Sequence, residues 1–253
     1  MDSPARRRWA TGAAAAAALA IVAGASQAQR AAASGNEGQP APGTRRTGGA
    51  PLRLCTFGDS VLDCGRYNER GLDPGRLIVR NDDALFPEFA GRDLSARGPA
   101  RLEHRAVDGA TVEGLAEQAR GLDRAEPSIA LVTIGGNDLL RGLAADGGRG
   151  IARFEETLGA FVRALPVGRV LLGTVYDPTF GDDARNFLGV PAAVARANHR
   201  RVNDAIGAVA SRHGGLADLH AHFLTGDPSW YTRTIEPSLV GASEIRRVFL
   251  AVV

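Results

Sequence analysis

Five short apolar runs, at residues 52–57, 103–107, 129–134, 169–175 and 215–219, are separated by stretches with helical spacing at 111–121, 151–164 and 191–212, and a further such stretch lies at 241–251. The runs Ile129–Ile134 and Val170–Val175 are apolar without clean alternation, the pattern of strands covered on both faces. Strands alternating with helices imply a parallel sheet with helices on both sides. The fold class expected is α/β, a three-layer α/β/α sandwich with a five-stranded, mainly parallel sheet of flavodoxin-like type. Pro191 suits the first turn of the long helix, and Gly214 and Gly215 stop it. Residues 61–100 are less regular, with turn residues Asp73-Pro74-Gly75 and Asn81-Asp82-Asp83, and read as an excursion over the rim of the site.

In a parallel sheet every strand points the same way, so the turns that follow gather at one edge, where such sheets place their chemistry. Three turns there carry reactive or donor groups. The first run ends in Gly58-Asp59-Ser60, the second in Val107-Asp108-Gly109-Ala110-Thr111, and the third in Ile134-Gly135-Gly136-Asn137-Asp138. Ser60 is the candidate nucleophile. The backbone N–H groups of Ser60 and Gly109 and the Asn137 amide would supply three donors for an oxyanion. The Ser60 N–H is expected near a helix N-terminus, whose dipole favours negative charge. Asp59 is expected to order the turn through local hydrogen bonds.

These blocks resemble those of the GDSL/SGNH hydrolases. Gly58-Asp59-Ser60 matches the family's nucleophile block, Gly109 its second-block glycine, and Gly135-Gly136-Asn137-Asp138 its Gly-x-Asn-Asp block. The resemblance covers about residues 51–253. It implies an α/β/α fold and ester hydrolysis through a serine, on acyl or acetyl esters of lipids, carbohydrates or small molecules, without a cofactor or metal. The Gly-x-Ser-x-Gly elbow of α/β-hydrolases is not present, since Leu62 stands at its second glycine.

The resemblance breaks at the final block, which in the family reads Asp-x-x-His. Here it is Arg233-Thr234-Ile235-Glu236, within an intact Pro237 and Gly241 frame. Serine needs a neighbouring base, and three readings stand. Glu236 acts as the base, if burial raises its pKa against the opposing charge of Arg233. Or His220 or His222 replaces it, from Asp218-Leu219-His220-Ala221-His222-Phe223 at the end of the fifth strand; in extended chain the two histidines and Asp218 share a face. Or hydrolysis has been lost and a ligand-binding module kept. A histidine is favoured, because imidazole is basic near pH 7 without help. The two-apart histidines lack a clear third and fourth ligand, so no metal site is expected. His104, His199 and His213 read as structural or surface residues. The loop Tyr176-Asp177-Pro178, with Gly181, Asp182, Asp183, Asn186 and Phe187, is expected to shape a substrate pocket, and Phe180, Phe187, Trp230 and Tyr231 to line an apolar acyl site.

The chain has 30 lysines and arginines against 28 acids, and every one of those cations is arginine. The net +2 is carried by Arg6, Arg7 and Arg8 against Asp2. Without residues 1–28 the chain is near neutral, so nothing favours a nucleic-acid partner. Residues 1–28 read as an export signal, with the arginines as charged region and Ala10–Gly24 as an apolar stretch short for a membrane span. Residues 29–50 read as a linker. The protein is therefore expected to be exported, periplasmic or secreted, with one catalytic domain at 51–253. Cys55 and Cys64 are the only cysteines; Cys55 lies inside the first strand and is expected as a buried thiol.

Overall fold

In the computed structural model, residues 50–125 and 127–253 are described. The export signal over residues 1–28 and, apart from Ala50, the linker over 29–50 lie outside them. Five strands form one parallel sheet in the order β2-β1-β3-β4-β5: β1 Leu52–Gly58, β2 Ala100–His104, β3 Ser128–Thr133, β4 Arg169–Gly173 and β5 Gly215–Ala217. Helices are α1 Pro74–Val79, α2 Leu94–Arg97, α3 Leu115–Gln118, α4 Gly136–Asp138, α5 Ile151–Ala164, α6 Ala192–His213, α7 Leu219–Phe223 and α8 Leu239–Leu250. A separate antiparallel pair joins β6 Tyr231–Thr232 to β7 Glu236–Pro237.

The period-two alternation of the strands divides their side chains between two cores. Cys55, Phe57, Ala130, Val132, Val170 and Leu172 face one side and meet Leu158 of α5 and Val202 and Ile206 of α6. Leu54, Leu131, Leu171 and Ala217 face the other and meet Ile78 of α1 and Ile245 and Phe249 of α8. Both faces are covered, which is why these strands read as continuous apolar runs. A third cluster holds Cys64, Leu77, Phe86, Phe89 and Ala242. Cys55 and Cys64 thus sit in different clusters as free, buried thiols. Burial pushes the Cys55 thiol up to about 11.

The strand order places β1 between β2 and β3, so the chain reverses direction across the sheet at the β1/β3 pair. Crevices for ligands open at such a switch point, beyond the carboxyl ends of the strands. Ser60 follows β1 and Asn137 follows β3.

Three expectations are corrected. The second strand starts at Ala100, earlier than 103–107, because β2 is an edge strand whose half-exposed, charged residues carry no apolar signal. Residues 105–107 still run along β1 through Arg105 N to Thr56 O (2.9 Å) and Val107 N to Gly58 O (2.9 Å). Residues 61–100 are more than an excursion. Asp73 and Asp93 cap α1 and α2, accepting from Arg76 N and Ala96 N, and Pro74 opens α1. Finally, β5 stops at Ala217, and Asp218 caps α7 by accepting from Ala221 N.

Candidate active site

The turn after β1 is tied down at every step. The Asp59 N–H donates to Thr133 O (3.1 Å), which carries the backbone directly across β3. Gly58 has φ +117°, and a Cβ there would lie 1.7 Å from Thr133 O, so no other residue fits. The Gln118 side chain bonds both Gly58 N (2.7 Å) and Gly58 O (2.8 Å), supplying a buried strand end with partners. Asp63 N to Asp59 O (3.1 Å) closes a single turn before a 3-10 helix begins at Cys64. Ser60 therefore does not open an α-helix, contrary to the sequence reading, and gains no α-helix dipole from its own segment.

Asp59 orders this turn as expected. Its Oδ1 accepts from Val61 N (3.2 Å) and Thr133 Oγ1 (3.0 Å). Burial raises its pKa from 3.8 to about 7, against the pull of those two bonds. Between those values the native protein holds a proton that the unfolded chain has lost. The unfolded state then binds fewer protons, so stability falls as pH rises through that window. Asp59→Asn is expected to keep the accepting oxygen and remove the buried charge. Its melting temperature should exceed that of the wild type at pH 8 and converge with it at pH 4, which thermal melts across pH would check.

The second turn, Val107 to Ala110, is closed by Ala110 N to Val107 O (3.1 Å), with Gly109 at φ +77°. The Gly109 carbonyl accepts from Arg141 Nη2 (2.9 Å). Both Asp138 oxygens accept from Val112 N (3.2 Å), locking the third turn to the second. Burial lifts Asp138 to about 6. Ser60, which is 9 % exposed, and Asn137 line one cleft. Gly109 lies outside that lining, on the loop tied to it.

The final block forms a tight hairpin. Arg233 (φ +46°) and Thr234 (φ +75°) both adopt left-handed backbone between β6 and β7. Glu236 is the first residue of β7, and its side chain interacts with that of Ser60. Burial raises its pKa, opposed by its side-chain interaction with Ser60, reinforced by the charge of Asp108 and opposed by that of Arg233. Its Oε2 is buried with no hydrogen-bond partner. Arg233 turns its guanidinium over the Tyr67 ring at 5.0 Å. The Tyr67 hydroxyl donates to Asp108 Oδ2 (2.6 Å).

The two histidines do not share a face. They lie on α7, where two residues correspond to about 200° of rotation. His222 Nε2 is paired with Glu244 Oε2 (2.8 Å), and its ring stacks on Trp230 at 5.1 Å. His220 packs edge-on against His199 at 4.9 Å. Asp218 accepts from Thr174 Oγ1 (3.0 Å) as well as capping α7, so it does not orient an imidazole towards Ser60. His199, read from sequence as structural, lines the cleft and donates from Nε2 to Val175 O (2.9 Å). Desolvation lowers its pKa. Its position was missed because a histidine within a long polar helix carries no signal of what that face meets.

Of the aromatics expected at the acyl site, Phe187 lines the cleft. Phe180 and Tyr231 instead pack edge-to-face at 5.5 Å, and Trp230 stacks on His222. Tyr176, Asp177, Pro178, Asp182, Asp183 and Asn186 line the cleft, and Gly181 of the same loop lies outside its lining. Among the described residues no group of three or more His, Cys, Asp or Glu is placed to hold a metal ion, and no helix is long and apolar enough to cross a membrane.

This geometry can be set beside known proteins. The family model of the GDSL-like Lipase/Acylhydrolase family matches residues 56–240. Among curated proteins none matches. A member of the lipolytic protein G-D-S-L family from Veillonella parvula aligns with TM-score 0.55 and 18 % identity, over 79 % of this chain and 97 % of its own. Axe2, an acetylxylan esterase from Geobacillus stearothermophilus, aligns with TM-score 0.54 and 20 % identity, over 79 % and 92 %. LAE5, an alpha/beta hydrolase enzyme from the metagenome of Lake Arreo, Spain, aligns with TM-score 0.55 and 27 % identity, over 79 % and 93 %. With a five-stranded parallel sheet between helices, a Gly-Asp-Ser turn after its first strand and a family match that takes in most of its length, this chain belongs to the GDSL-like lipase/acylhydrolase family.

Proposed function

We propose that this chain is an exported carboxylic-ester hydrolase in which Ser60 is the nucleophile and Glu236 the base. The observation that carries the reading is the side-chain interaction of Glu236 with Ser60, while His222 is held by Glu244 and His220 by the face of His199. As Ser60 Oγ bonds to the carbonyl carbon, its proton passes to the Glu236 carboxylate and the carbonyl electrons move to oxygen. The Ser60 and Gly109 N–H groups and the Asn137 amide receive that oxyanion. Collapse breaks the ester C–O bond, and the Glu236 carboxyl returns the proton to the departing alcohol. Water, deprotonated by Glu236, then releases the acyl group and restores Ser60.

Burial makes the carboxylate a stronger base than one in water, which partly replaces what the family's histidine supplies. The reaction asks for no cofactor. The arginines of residues 6–8 ahead of an apolar stretch support export, and the near-neutral remainder supports a small-molecule, glycan or lipid ester as partner rather than a nucleic acid.

Labelling with a fluorophosphonate, read by peptide mass spectrometry, tests the nucleophile. Wild type is expected to label at Ser60, and Ser60→Ala neither to label nor to turn over p-nitrophenyl esters. A second reading, a binding module on the same fold, is favoured by the absence of a bond at Glu236 Oε2. It predicts no label with the fold intact.

A further inference from the structure

The cleft at Ser60 is asymmetric in its chemistry. Glu236 interacts with the serine, and around Glu236 stand the charged groups Arg233 and Asp108 with Tyr67. Glu236 is absent from the cleft lining, although its neighbour Ile235 is part of it. The cleft itself is lined by Ser60 and Asn137 and, from the first turns of α6, by Ala192, Ala195 and His199. From Ala192 to His199 the helix rises by about 10 Å, so this wall is much longer than an acetyl group.

The wall is apolar in effect. Ile134, Leu139, Leu140, Val175, Phe187 and Leu188 supply it. Leu140 and Phe187 remain 46 % and 41 % exposed. The polar groups along it are already used by the protein. Asp177 accepts from Thr179 N (2.9 Å), Thr179 Oγ1 (2.6 Å) and Gly181 N (3.1 Å). Asp183 pairs with Arg196, Asn186 bonds Val190 O (2.6 Å) and Leu188 N (3.2 Å), and His199 is on Val175 O. A wall built to read a sugar or another polar group would present unpaired donors and acceptors.

The direction of the reaction assigns the half of the ester that the cleft takes. The leaving alcohol must depart beside the group that returns its proton, which is Glu236, so the cleft takes the other half of the ester. From this we infer that the cleft holds an aliphatic acyl chain of several carbons rather than acetyl, and that Ala192, the first residue of α6, sets how long a chain enters. The inference rests on the esterase reading for the direction of binding.

The test is the chain-length profile of kcat/KM on p-nitrophenyl acetate, butyrate, hexanoate and octanoate. Wild type is expected to favour hexanoate over acetate by about tenfold or more, since each buried methylene adds a few-fold. Ala192→Trp, and the milder Ala192→Leu, should lower that ratio by about tenfold through the long-chain substrates. Ala193→Trp, on the exposed side of the same turn, should leave the ratio as it is. Acetate as the best substrate, or a ratio unmoved in a folded Ala192→Trp, would overturn the inference while leaving Ser60 as nucleophile. Calorimetry of octanoate on Ser60→Ala reads the cleft without chemistry. Binding that Ala192→Trp removes supports the cleft's chain preference even if Ser60 proves inactive, and no binding in either counts against it.

Discussion

Replacing Glu236 by glutamine is expected to lower kcat on a short-chain p-nitrophenyl ester by about 10²–10⁴-fold, the range for losing a positioned general base. Glutamine keeps the shape and can still approach Ser60, so KM should move far less than kcat. The pH profile carries the sharper information. A base must be unprotonated, so kcat/KM of the wild type should rise with pH through the Glu236 pKa, which burial holds above the ordinary carboxylate value. That rise should vanish in Glu236→Gln. His220→Ala and His222→Ala should keep it, because His222 is paired with Glu244 and His220 packs against His199. A profile lost with either histidine and preserved in Glu236→Gln would return the base to α7. Rate measurements on the four proteins between pH 4 and 9 decide the matter.

Alanine at position 58 is expected to cost more stability than any other single methyl in the site. Its Cβ would sit 1.7 Å from Thr133 O, and φ +117° is hostile to any L side chain. Relief requires β1 and β3 to part at the register pair Gly58–Thr133, which also pulls on Asp59 N and on Gln118. The loss should exceed about 4 kcal/mol, the class of substitution that forces backbone to move. Urea denaturation should show Gly58→Ala largely unfolded or with a midpoint far below the wild type. A near-native midpoint would mean that the turn relaxes freely and that the tight geometry around Ser60 is not imposed by Gly58.

Much of the scaffold was legible because burial on both faces leaves its mark on composition. The runs at 52–57, 129–134 and 169–175 are central strands covered on both faces, so apolar residues dominate them. The edge strand β2 was misplaced, because half-exposed residues such as Arg101 and Glu103 follow no apolar pattern. Asp218 illustrates the opposite failure. It reads equally well as a strand end or as a helix cap, and only its bonds to Ala221 N and Thr174 Oγ1 decide for the cap. That one local choice turned His220 and His222 from a shared face to opposite sides of a helix.

The sequence by itself determined the parallel sheet, the three turns at its edge and the absence of the family's acid and base from positions 233 and 236. Those are local properties: periodicity, turn chemistry and residue identity at a known spacing. Only the tertiary structure decided that Glu236 meets Ser60, that Gln118 secures Gly58 across 60 residues of chain, and that α6 walls the cleft with Ala192 and His199. Such meetings depend on how the hairpin at 231–237 and a helix more than a hundred residues from Ser60 pack onto one sheet edge. Packing of that kind follows from the summed burial of both cores, and no short stretch of the chain records it.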